Sequence, residues 1–474
     1  MAKSADVVII GAGPGGYPAA IRAAQLGKKV VLIEKGTLGG ECLNWGCIPS
    51  KALITAASFY HKLNNGAEEM GISVSGATID ITKLMAWKQA IQDKLIDGIK
   101  VLLKTNKVET IIGSASFNGK SQIEVDLDKK KKKETINFKS AIVATGAEFI
   151  SLPEFELDEI DILSAKGALS LDHIPEELVC IGGGIVGLEL GTVFAKLGSK
   201  VKVIELLPNL MTGVTKRLVS VVERKLKELG IEVYKEAKAT KMVKKAGKLY
   251  LTVETKTETK TITGNKILLS IGKRALTSNI GLEKAGVNTG KGGFISVNTR
   301  QQTNVSNIYA VGDCTGQPFL AHRATKQGIV AAEVIAGKTS EADFKAMPGA
   351  IFTDPEIAYA GLSEAEAKKI GFDVRIGQAS FAASGRAMTQ LADSGFVKVI
   401  SDDKTGVILG IEIVGPHASD LISEAALALE MGATVEDLGF TVHPHPTLPE
   451  MVMEAAEAIE GKAIHVPNTR KRKI

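Results

Sequence analysis

The sequence predicts an α/β protein with two dinucleotide-binding domains, followed by an α+β domain at the C-terminus. Three observations support this prediction. A strand–glycine–helix–strand pattern occurs twice, the C-terminal third alternates strand-like and helix-like segments, and the 474 residues are 45% apolar with 49 glycines. That composition suits tight strand-to-helix turns. A chain of this length is too long to fold around a single hydrophobic core, so we expect two to four domains.

The first copy of the pattern is the segment DVVIIGAGPGGYPAAIRAAQLGKKVVLIEKG. It contains an apolar strand, the triplet Gly11, Gly13 and Gly16, an alanine-rich helix, and a strand ending at Glu34. In such a Rossmann-like unit the first glycine permits a tight turn, the second admits a pyrophosphate, and the third lets helix and strand pack closely. The helix N-terminus attracts the phosphates, and the carboxylate binds the ribose hydroxyls.

The second copy is ELVCIGGGIVGLELGTVFAKLGSKVKVIELL, with Gly182, Gly184, Gly187 and Glu205. From first glycine to acidic residue the offset is 23 in both copies (34 − 11 and 205 − 182). One such motif is a weak signal, but two with equal spacing predict two dinucleotide sites. The first arginine after Glu205 is Arg217, so nothing is placed to bind a ribose 2′-phosphate. NAD(H) is therefore favoured over NADP(H) at the second site.

A third glycine-containing segment, NIYAVGDCTG, places Asp313 at the end of a strand. Such a carboxylate can bind a ribityl chain, which favours a flavin (FAD) at the first site, or it can simply cap a turn. The segments AIVATGAEF and ILLSIGKRA close the two nucleotide units. The predicted domains are 1–148 (FAD-binding), 149–274 (NAD-binding), 275–348 (central, completing the FAD site) and 349–474 (α+β, with amphipathic helices that a dimer interface would bury).

Two of the four cysteines lie close together in GGECLNWGCIPSK, as Cys42 and Cys47. They could ligate zinc, be buried bystanders, or form a redox-active disulfide. Zinc needs three or four ligands, and the nearest histidine, His61, is fourteen residues past Cys47, so we predict no metal. The intervening glycine and the following Pro49 predict an irregular helix entry, which can bring two cysteines within disulfide range and lower a thiol pKa. This favours the redox pair, beside the predicted flavin.

The segment TVHPHPTLPE supplies a candidate proton acceptor for dithiol chemistry. A histidine can move protons near neutral pH, and Glu450 follows His445 by five residues, close enough to orient its ring. The alternative is that His443 and His445 only satisfy hydrogen bonds of a turn. Because no other base is evident, we predict that His445 and Glu450 act as a pair.

Charge and hydropathy exclude several functions. The net charge is only +5, and neither the lysine run at 129–133 nor the tail TRKRKI has an aromatic or arginine platform beside it, so we predict no nucleic-acid binding. The run is interpreted as a hairpin tip and the tail as a disordered end. No apolar span suits a signal peptide or membrane helix. We expect a cytoplasmic protein, or an organelle matrix protein whose transit peptide has been removed.

Together these motifs resemble the pyridine nucleotide-disulfide oxidoreductases over essentially the whole chain. The segments that carry the resemblance are GAGPGGY, GGECLNWGCIPSKAL, ATGAE, GGGIVGLELGTVFAKLG, VGDCTGQPFLAHRATKQG, FTDPEIAYAGLSEAEA and HPHPTLPE. The resemblance implies FAD, NAD, central and interface domains in a homodimer. It also implies that Cys42 meets the substrate, that Cys47 faces the flavin, and that His445 with Glu450 serves the partner subunit's site.

The resemblance extends to cofactor contacts. Lys51 would lie near the flavin ring and pair with Glu189. The remaining implied contacts are with FAD (Glu34, Ala115, Asp313, Ala321) and with NAD (Glu205, Gly272). Departures from the family pattern are Glu41, Trp45 and the segment GKRALTS at 272–278. Glu41 would raise the pKa of the Cys42 thiol if the two side chains face each other.

The activity implied by the resemblance is oxidation of protein-bound dihydrolipoamide to lipoamide through a Cys42–Cys47 disulfide, with electrons passing through FAD to NAD+. The partners would be lipoyl-bearing proteins of 2-oxo-acid dehydrogenase or glycine cleavage complexes. Two alternatives remain: a related NAD(P)H-dependent disulfide reductase, and a non-catalytic binding subunit.

Overall fold

The computed structural model describes residues 3–127 and 132–468. The tip of the predicted lysine-rich hairpin and the TRKRKI tail lie outside these residues. In chain order, the helices are α1 (Gly16–Gln25), α2 (Gly40–Trp45), α3 (Cys47–Asn65), α4 (Ile81–Thr105), α5 (Ala165–Ala168), α6 (Ile185–Lys196), α7 (Lys216–Glu228), α8 (Leu282–Ala285), α9 (Ala321–Ile335), α10 (Glu364–Lys369), α11 (Gly385–Met388), α12 (Ala418–Met431), α13 (Val435–Phe440) and α14 (Glu450–Glu460).

The strands lie between these helices, singly or in runs of consecutive strands, and form one layer of the last third of the chain. In chain order they are β1 (Lys3–Ile10), β2 (Val30–Glu34), β3 (Glu109–Ile112), β4 (Ser114–Phe117), β5 (Gln122–Leu127), β6 (Lys132–Val143), β7 (Ala147–Phe149), β8 (Ile162–Leu163), β9 (Glu177–Ile181), β10 (Lys200–Ile204), β11 (Glu232–Tyr234), β12 (Lys238–Lys245), β13 (Lys248–Glu254), β14 (Thr259–Gly264), β15 (Lys266–Leu269), β16 (Lys273–Ala275), β17 (Ile308–Ala310), β18 (Gly349–Ile351), β19 (Glu356–Gly361), β20 (Val374–Ser380), β21 (Phe396–Asp402) and β22 (Ile408–Gly415).

The first sheet has the order β3-β2-β1-β6-β5-β4, with β17 also paired to β6. The pairings among β3, β2, β1, β6 and β17 are parallel, whereas β5 pairs antiparallel with both β4 and β6. Residues 7–10 of β1 are buried on both faces, as expected for a parallel strand covered by helices. β17 lies far along the chain yet returns to this sheet, so the turn that follows it comes to the edge where the first glycine loop leaves β1.

The second parallel sheet has the order β11-β10-β9-β15-β8 and repeats the design of the first. A three-stranded antiparallel sheet, β12-β13-β14, lies beside it. The chain enters and leaves this second unit through β7 and β16, which pair antiparallel with Lys273 opposite Phe149. These two strands therefore form a short two-stranded link between the two dinucleotide folds.

The C-terminal unit is an antiparallel sheet of order β18-β19-β22-β21-β20 with α12 and α14 packed against it. The strand-like segments of the C-terminal third include FVKVIS and GVILGIEIVG, which form β21 and β22, and its main helix-like segments form α12 and α14. The predicted fold class, two Rossmann-like units plus an α+β unit, is confirmed. Within residues 3–127 and 132–468, no helix combines the length and apolarity needed to cross a lipid bilayer.

Candidate active site

In the first glycine loop, the space around each of the three glycines shows why a glycine is needed there. Gly11 has φ +98°, and a Cβ added to it would lie 2.4 Å from the Ala144 carbonyl oxygen. A Cβ on Gly16 would lie 1.8 Å from the Gly11 oxygen, so this glycine permits the close approach of α1 to the loop. A Cβ on Gly13 would meet nothing nearer than the Gly40 Cα at 3.6 Å. The first and third positions are closed by packing, whereas the middle one faces space that a phosphate could use.

The second glycine loop has the same arrangement. Gly182 has φ +104°, and its added Cβ would lie 2.5 Å from the Ser270 carbonyl oxygen. The Cβ of an alanine at Gly187 would lie 2.3 Å from the Gly182 oxygen, while at Gly184 nothing lies within 4 Å. Both loops therefore suit a dinucleotide pyrophosphate at the middle glycine.

The two acidic residues are held alike by backbone N–H groups. Glu34 accepts hydrogen bonds from the N–H of Ala12 at 2.7 Å and of Gly36 at 2.8 Å. Glu205 accepts hydrogen bonds from the N–H groups at the equivalent positions, Gly183 and Leu207, each at 2.7 Å. Each carboxylate is thus fixed at the end of its second strand, in the position that the sequence predicts for a ribose contact.

The cysteine pair spans a break between two helices. α2 ends at Trp45, Gly46 adopts φ −137° and ψ −112°, and α3 begins at Cys47. The predicted irregular helix entry is therefore present. Both cysteines are half-buried thiols, and the Cys42 thiol donates a hydrogen bond to the Cys47 sulfur. The two sulfurs that the sequence places five residues apart are in contact.

The hydrogen bond gives the two thiols opposite acidities. It lowers the pKa of Cys47 against the opposing effect of burial, and the positive charge of Lys51, one helical turn further on, adds to the lowering. The same hydrogen bond, with burial, raises the pKa of Cys42. Cys47 is therefore the more acidic thiol of the pair, and Cys42 is the hydrogen-bond donor. Among residues 3–127 and 132–468, no group of three or more His, Cys, Asp and Glu side chains could hold a metal ion.

Lys51 joins the cysteine helix to two other parts of the fold. Its Nζ lies 2.9 Å from Glu189 Oε2 and 4.3 Å from the centre of the Phe352 ring. The other oxygen of Glu189 accepts the backbone N–H of Phe352 at 2.8 Å. Glu189 is buried on α6, so this ion pair holds α3, the second unit and the C-terminal unit together. The structure brings Lys51 and Glu189 together as the resemblance implies.

Asp313 begins the turn after β17 and is mostly buried. Burial raises the pKa of its carboxyl to about 6, and the nearby charge of Glu41 adds to this, while Lys273 and Arg323 oppose it. The preceding N–H, of Gly312, donates to the Gln327 side chain at 2.9 Å, which fixes the turn. The carboxylate therefore stands at the edge of the first sheet, near the first glycine loop.

The resemblance implies cofactor contacts for three further small residues, Ala321, Ala115 and Gly272. Ala321 is the first residue of α9, and Ala115 lies in β4, two residues after Gly113, whose N–H donates to the Glu34 carbonyl at 2.9 Å. Gly272 has φ +117° and leads from β15 into β16. All three are at positions where the backbone, rather than a long side chain, would meet a ligand.

The two histidines of the HPHP segment have different environments. The His443 ring is 4% exposed and is engaged at both nitrogens, by the Thr441 carbonyl at 2.8 Å and by Glu424 at 2.7 Å. The hydrogen bond to Glu424 raises its pKa despite burial. The alternative of a purely structural histidine therefore describes His443.

His445 is 82% exposed, and its Nδ1 lies 2.8 Å from Glu450 Oε1. Burial opposes ionisation of Glu450, but the Thr447 N–H and the His445 ring outweigh it and hold the pKa of this carboxyl below its usual value. Within the described chain, no hydrogen bond or ion pair joins His445 to Cys42 or Cys47. The His445–Glu450 pair is formed, and within the described residues no hydrogen bond engages the second ring nitrogen of His445.

Sequence reasoning missed two contacts of α2. Glu41 forms an ion pair with Lys273 of β16, and Lys166 lies over the Trp45 ring at 5.3 Å. The charge of Glu41 also raises the pKa of the Cys47 thiol, an effect on the second cysteine that the sequence did not predict. Because 232 residues separate Glu41 from Lys273, no local spacing could have revealed their contact.

Two dinucleotide folds, a thiol pair held beside the first glycine loop and a C-terminal α+β unit define a dinucleotide-dependent disulfide oxidoreductase. Residues 5–328 match the model of the pyridine nucleotide-disulphide oxidoreductases, and residues 347–456 match the dimerisation domain of the same group. The chain belongs to the pyridine nucleotide-disulphide oxidoreductase family. The match to the dimerisation domain supports a homodimer.

Within this family, the chain is similar to proteins named dihydrolipoyl dehydrogenase. It is 44% identical to that of Haloferax volcanii over 471 residues, covering 99% of both chains, and 44% identical to that of Geobacillus stearothermophilus over 461 residues, covering 97% of both. The crystal structure of LpdA from Mycobacterium tuberculosis superposes with a TM-score of 0.89 at 27% identity, over 96% of this chain and 99% of that one.

Proposed function

We propose that the chain catalyses the dihydrolipoyl dehydrogenase reaction, in which protein-bound dihydrolipoamide is oxidised to lipoamide and electrons pass through FAD to NAD+. The contact between Cys42 and Cys47 is the observation that carries this proposal, because two hydrogen-bonded free thiols, one of them with a lowered pKa, are the expected reduced form of a redox disulfide. The relatives with that name align over nearly their full length, which supports the same substrate.

The residues present fit both dinucleotides, since each middle glycine faces open space and each acidic residue is fixed by two backbone N–H groups. When bound, FAD accepts two electrons from the enzyme thiols and hands a hydride to NAD+. The residues proposed to hold FAD are Gly11, Gly13, Gly16, Glu34, Lys51, Ala115, Asp313 and Ala321. Those proposed for NAD are Gly182, Gly184, Gly187, Glu189, Glu205 and Gly272.

The oxidation of the dithiol uses the cysteines and the histidine dyad. His445 takes a proton from one substrate thiol, and the resulting thiolate attacks Cys42 of the enzyme disulfide, which releases Cys47 as a thiolate. The second substrate thiol then attacks the first substrate sulfur and breaks the mixed disulfide with Cys42, which closes the lipoamide ring. The proton of this thiol passes to the departing Cys42 sulfur, so Cys42 is left as a thiol. The substrate loses two electrons and the enzyme disulfide gains them. The thiol of Cys42 and the ammonium of Lys51 stabilise the Cys47 thiolate that results.

His445 is proposed to act in the partner subunit's site. Its ring is exposed, and so are apolar side chains near it in sequence: Phe440 is 89% exposed and Val442 is 93% exposed. Exposed apolar residues around a catalytic pair are expected where a second subunit covers them. Glu450 would hold the ring by its Nδ1, leaving the other nitrogen to accept the proton.

We further propose the domain division 1–148, 149–274, 275–348 and 349–474, in which the link β7–β16 marks entry to and exit from the NAD-binding domain. The substrate would be the lipoyl group of a separate protein in a 2-oxo-acid dehydrogenase or glycine cleavage complex. The reaction would take place in the cytoplasm, or in an organelle matrix.

The test compares NAD+ reduction by dihydrolipoamide, glutathione and simple dithiols, in the unmodified chain and in Cys47→Ser, with Cys180→Ala as control because Cys180 is fully buried in the second sheet. Dihydrolipoamide should be preferred, Cys47→Ser should lose this activity, and Cys180→Ala should keep it. Preference for glutathione with NADPH would favour the related disulfide reductase. A purified protein without flavin absorbance would favour the non-catalytic binding subunit.

A further inference from the structure

The cysteine-bearing helix α2 is tied to the second dinucleotide unit by two cationic side chains. Lys273 of β16 forms an ion pair with Glu41, and both side chains are largely buried, at 17% and 26% exposure. Lys273 also lies 5.4 Å from the centre of the Phe149 ring on the paired strand β7. Lys166 of α5 lies over the Trp45 ring at the other end of α2. Cys42 lies between these two anchored residues.

Glu41 is the single acidic residue of α2, and its charge affects the ionisation of a cysteine thiol. Its charge opposes formation of the Cys47 thiolate, as like charges repel. The titratable groups that act on the cysteines besides Glu41 are Lys51 of α3, whose partner is Glu189 of α6, and Tyr17 of α1. The helix α4 also packs against α2 and carries the buried Lys88, and Asp313 after β17 lies near Glu41, Lys273 and Arg323. Of the basic groups, Lys273 is the one paired with Glu41.

We propose that Lys273 is a positioning residue for the cysteine pair and acts through Glu41. The ion pair holds α2 against the link between the two dinucleotide units, and it compensates the carboxylate charge that opposes ionisation of the Cys47 thiol. The proposal rests on the proposed function in that it concerns a redox-active pair. It adds a residue of the second unit, remote in sequence, to the control of the thiols in the first.

The test titrates the Cys47 thiolate directly. Reduced full-length protein with Cys42→Ser, which keeps a hydroxyl donor beside Cys47, is treated with iodoacetamide across a pH range, and alkylation of the Cys47 peptide is followed by mass spectrometry. Lys273→Met should move the midpoint of the pH profile upward by about 0.5 to 1 unit, because Glu41 is then uncompensated. Glu41→Gln should move it downward, and the double variant should return it close to the starting value.

Two control variants separate electrostatics from general damage. Lys273→Arg keeps the charge and should keep the midpoint. Arg274→Met alters the next residue of β16, whose partner is Glu148, and should also leave the midpoint unchanged. A purely structural role would instead give Lys273→Met and Glu41→Gln shifts of the same sign.

The proposal is overturned if Lys273→Met leaves the midpoint unchanged, or if the two single variants shift it in the same direction. Opposite shifts with recovery in the double variant would support it. The alkylation profile needs no lipoyl substrate, whereas the proposed function fails if the unmodified chain does not oxidise dihydrolipoamide. The two failures are therefore distinguishable.

Discussion

Gly184 and Gly187 lie three residues apart in the second glycine loop, and replacing each with alanine should have opposite consequences. At Gly187 the new Cβ would lie 2.3 Å from the Gly182 carbonyl oxygen and 2.6 Å from the Ser270 hydroxyl. Real Cβ atoms do not approach backbone oxygens so closely, so α6 would have to move away from β9. At Gly184 no atom lies within 4 Å, and φ −78° with ψ −176° is open to alanine.

The distances set the expected magnitudes. Overpacking of a tight helix–strand contact costs about 1–3 kcal/mol, and the Gly187→Ala contact is with backbone, so we expect the upper part of that range. Gly184→Ala should cost less than about 1 kcal/mol, the order of a changed N-cap residue. Its methyl group would instead enter the space where the dinucleotide pyrophosphate approaches the loop. The KM for NAD+ should rise at least about tenfold, equivalent to about 1.4 kcal/mol.

The assay has two readouts for each variant: the free energy of unfolding from a urea titration, and the KM for NAD+ with dihydrolipoamide as donor. Gly184→Ala should change the KM with little effect on stability, and Gly187→Ala should lower the stability. If Gly184→Ala lowered stability as much as Gly187→Ala and kept a normal KM, the assignment of the middle glycine to the pyrophosphate would be wrong.

Three other perturbations test the site. His445→Gln should reduce kcat by about 10²–10⁴ with unchanged stability, because its ring is 82% exposed, whereas His443→Gln, with a ring 4% exposed, should mainly lower the urea midpoint. Lys51→Met should lower the free energy of unfolding by about 3 kcal/mol by leaving Glu189 buried without a cation, and addition of Glu189→Gln should recover part of that loss in the same titration. Asp313 has a pKa raised from 3.8 to about 6, so its stabilising contribution is complete below about pH 3.8 and is lost as the pH rises through 6. Without FAD, the Asp313→Asn variant should therefore be more stable than the parent chain at pH 7.5, by up to about 3 kcal/mol, and equally stable below pH 4. Equal stability at both pH values would contradict the raised pKa of the Asp313 carboxyl.

Much of the fold and of the candidate site was predictable from residue patterns within short stretches of the chain. The roles of Gly11, Gly13 and Gly16 follow from backbone geometry within a few residues, and the structure shows them as two closed positions and one open one. The break between the cysteines was predictable for the same reason, because Gly46 lies between them and Pro49 follows. Five residues also separate His445 from Glu450, a distance that one turn and a helix start can close.

Other features arise only in the folded chain. The sequence favoured His445 through its spacing from Glu450, but only the folded chain shows that His443 is buried against Glu424 while the His445 ring is exposed. The pairing of Glu41 with Lys273 depends on the two-stranded link, which brings the end of the second unit onto the cysteine helix.

The sequence by itself therefore determined the two glycine loops, their acidic residues, the thiol pair and the fold class. Each of these depends on backbone conformation or hydrophobic periodicity over a short stretch of chain. Only the tertiary structure decided which thiol has the lowered pKa, that the His443 ring is buried while the His445 ring is exposed, and that Lys273 pairs with Glu41. These depend on burial and on charges brought together from distant parts of the chain, and both are properties of packing that no local pattern encodes.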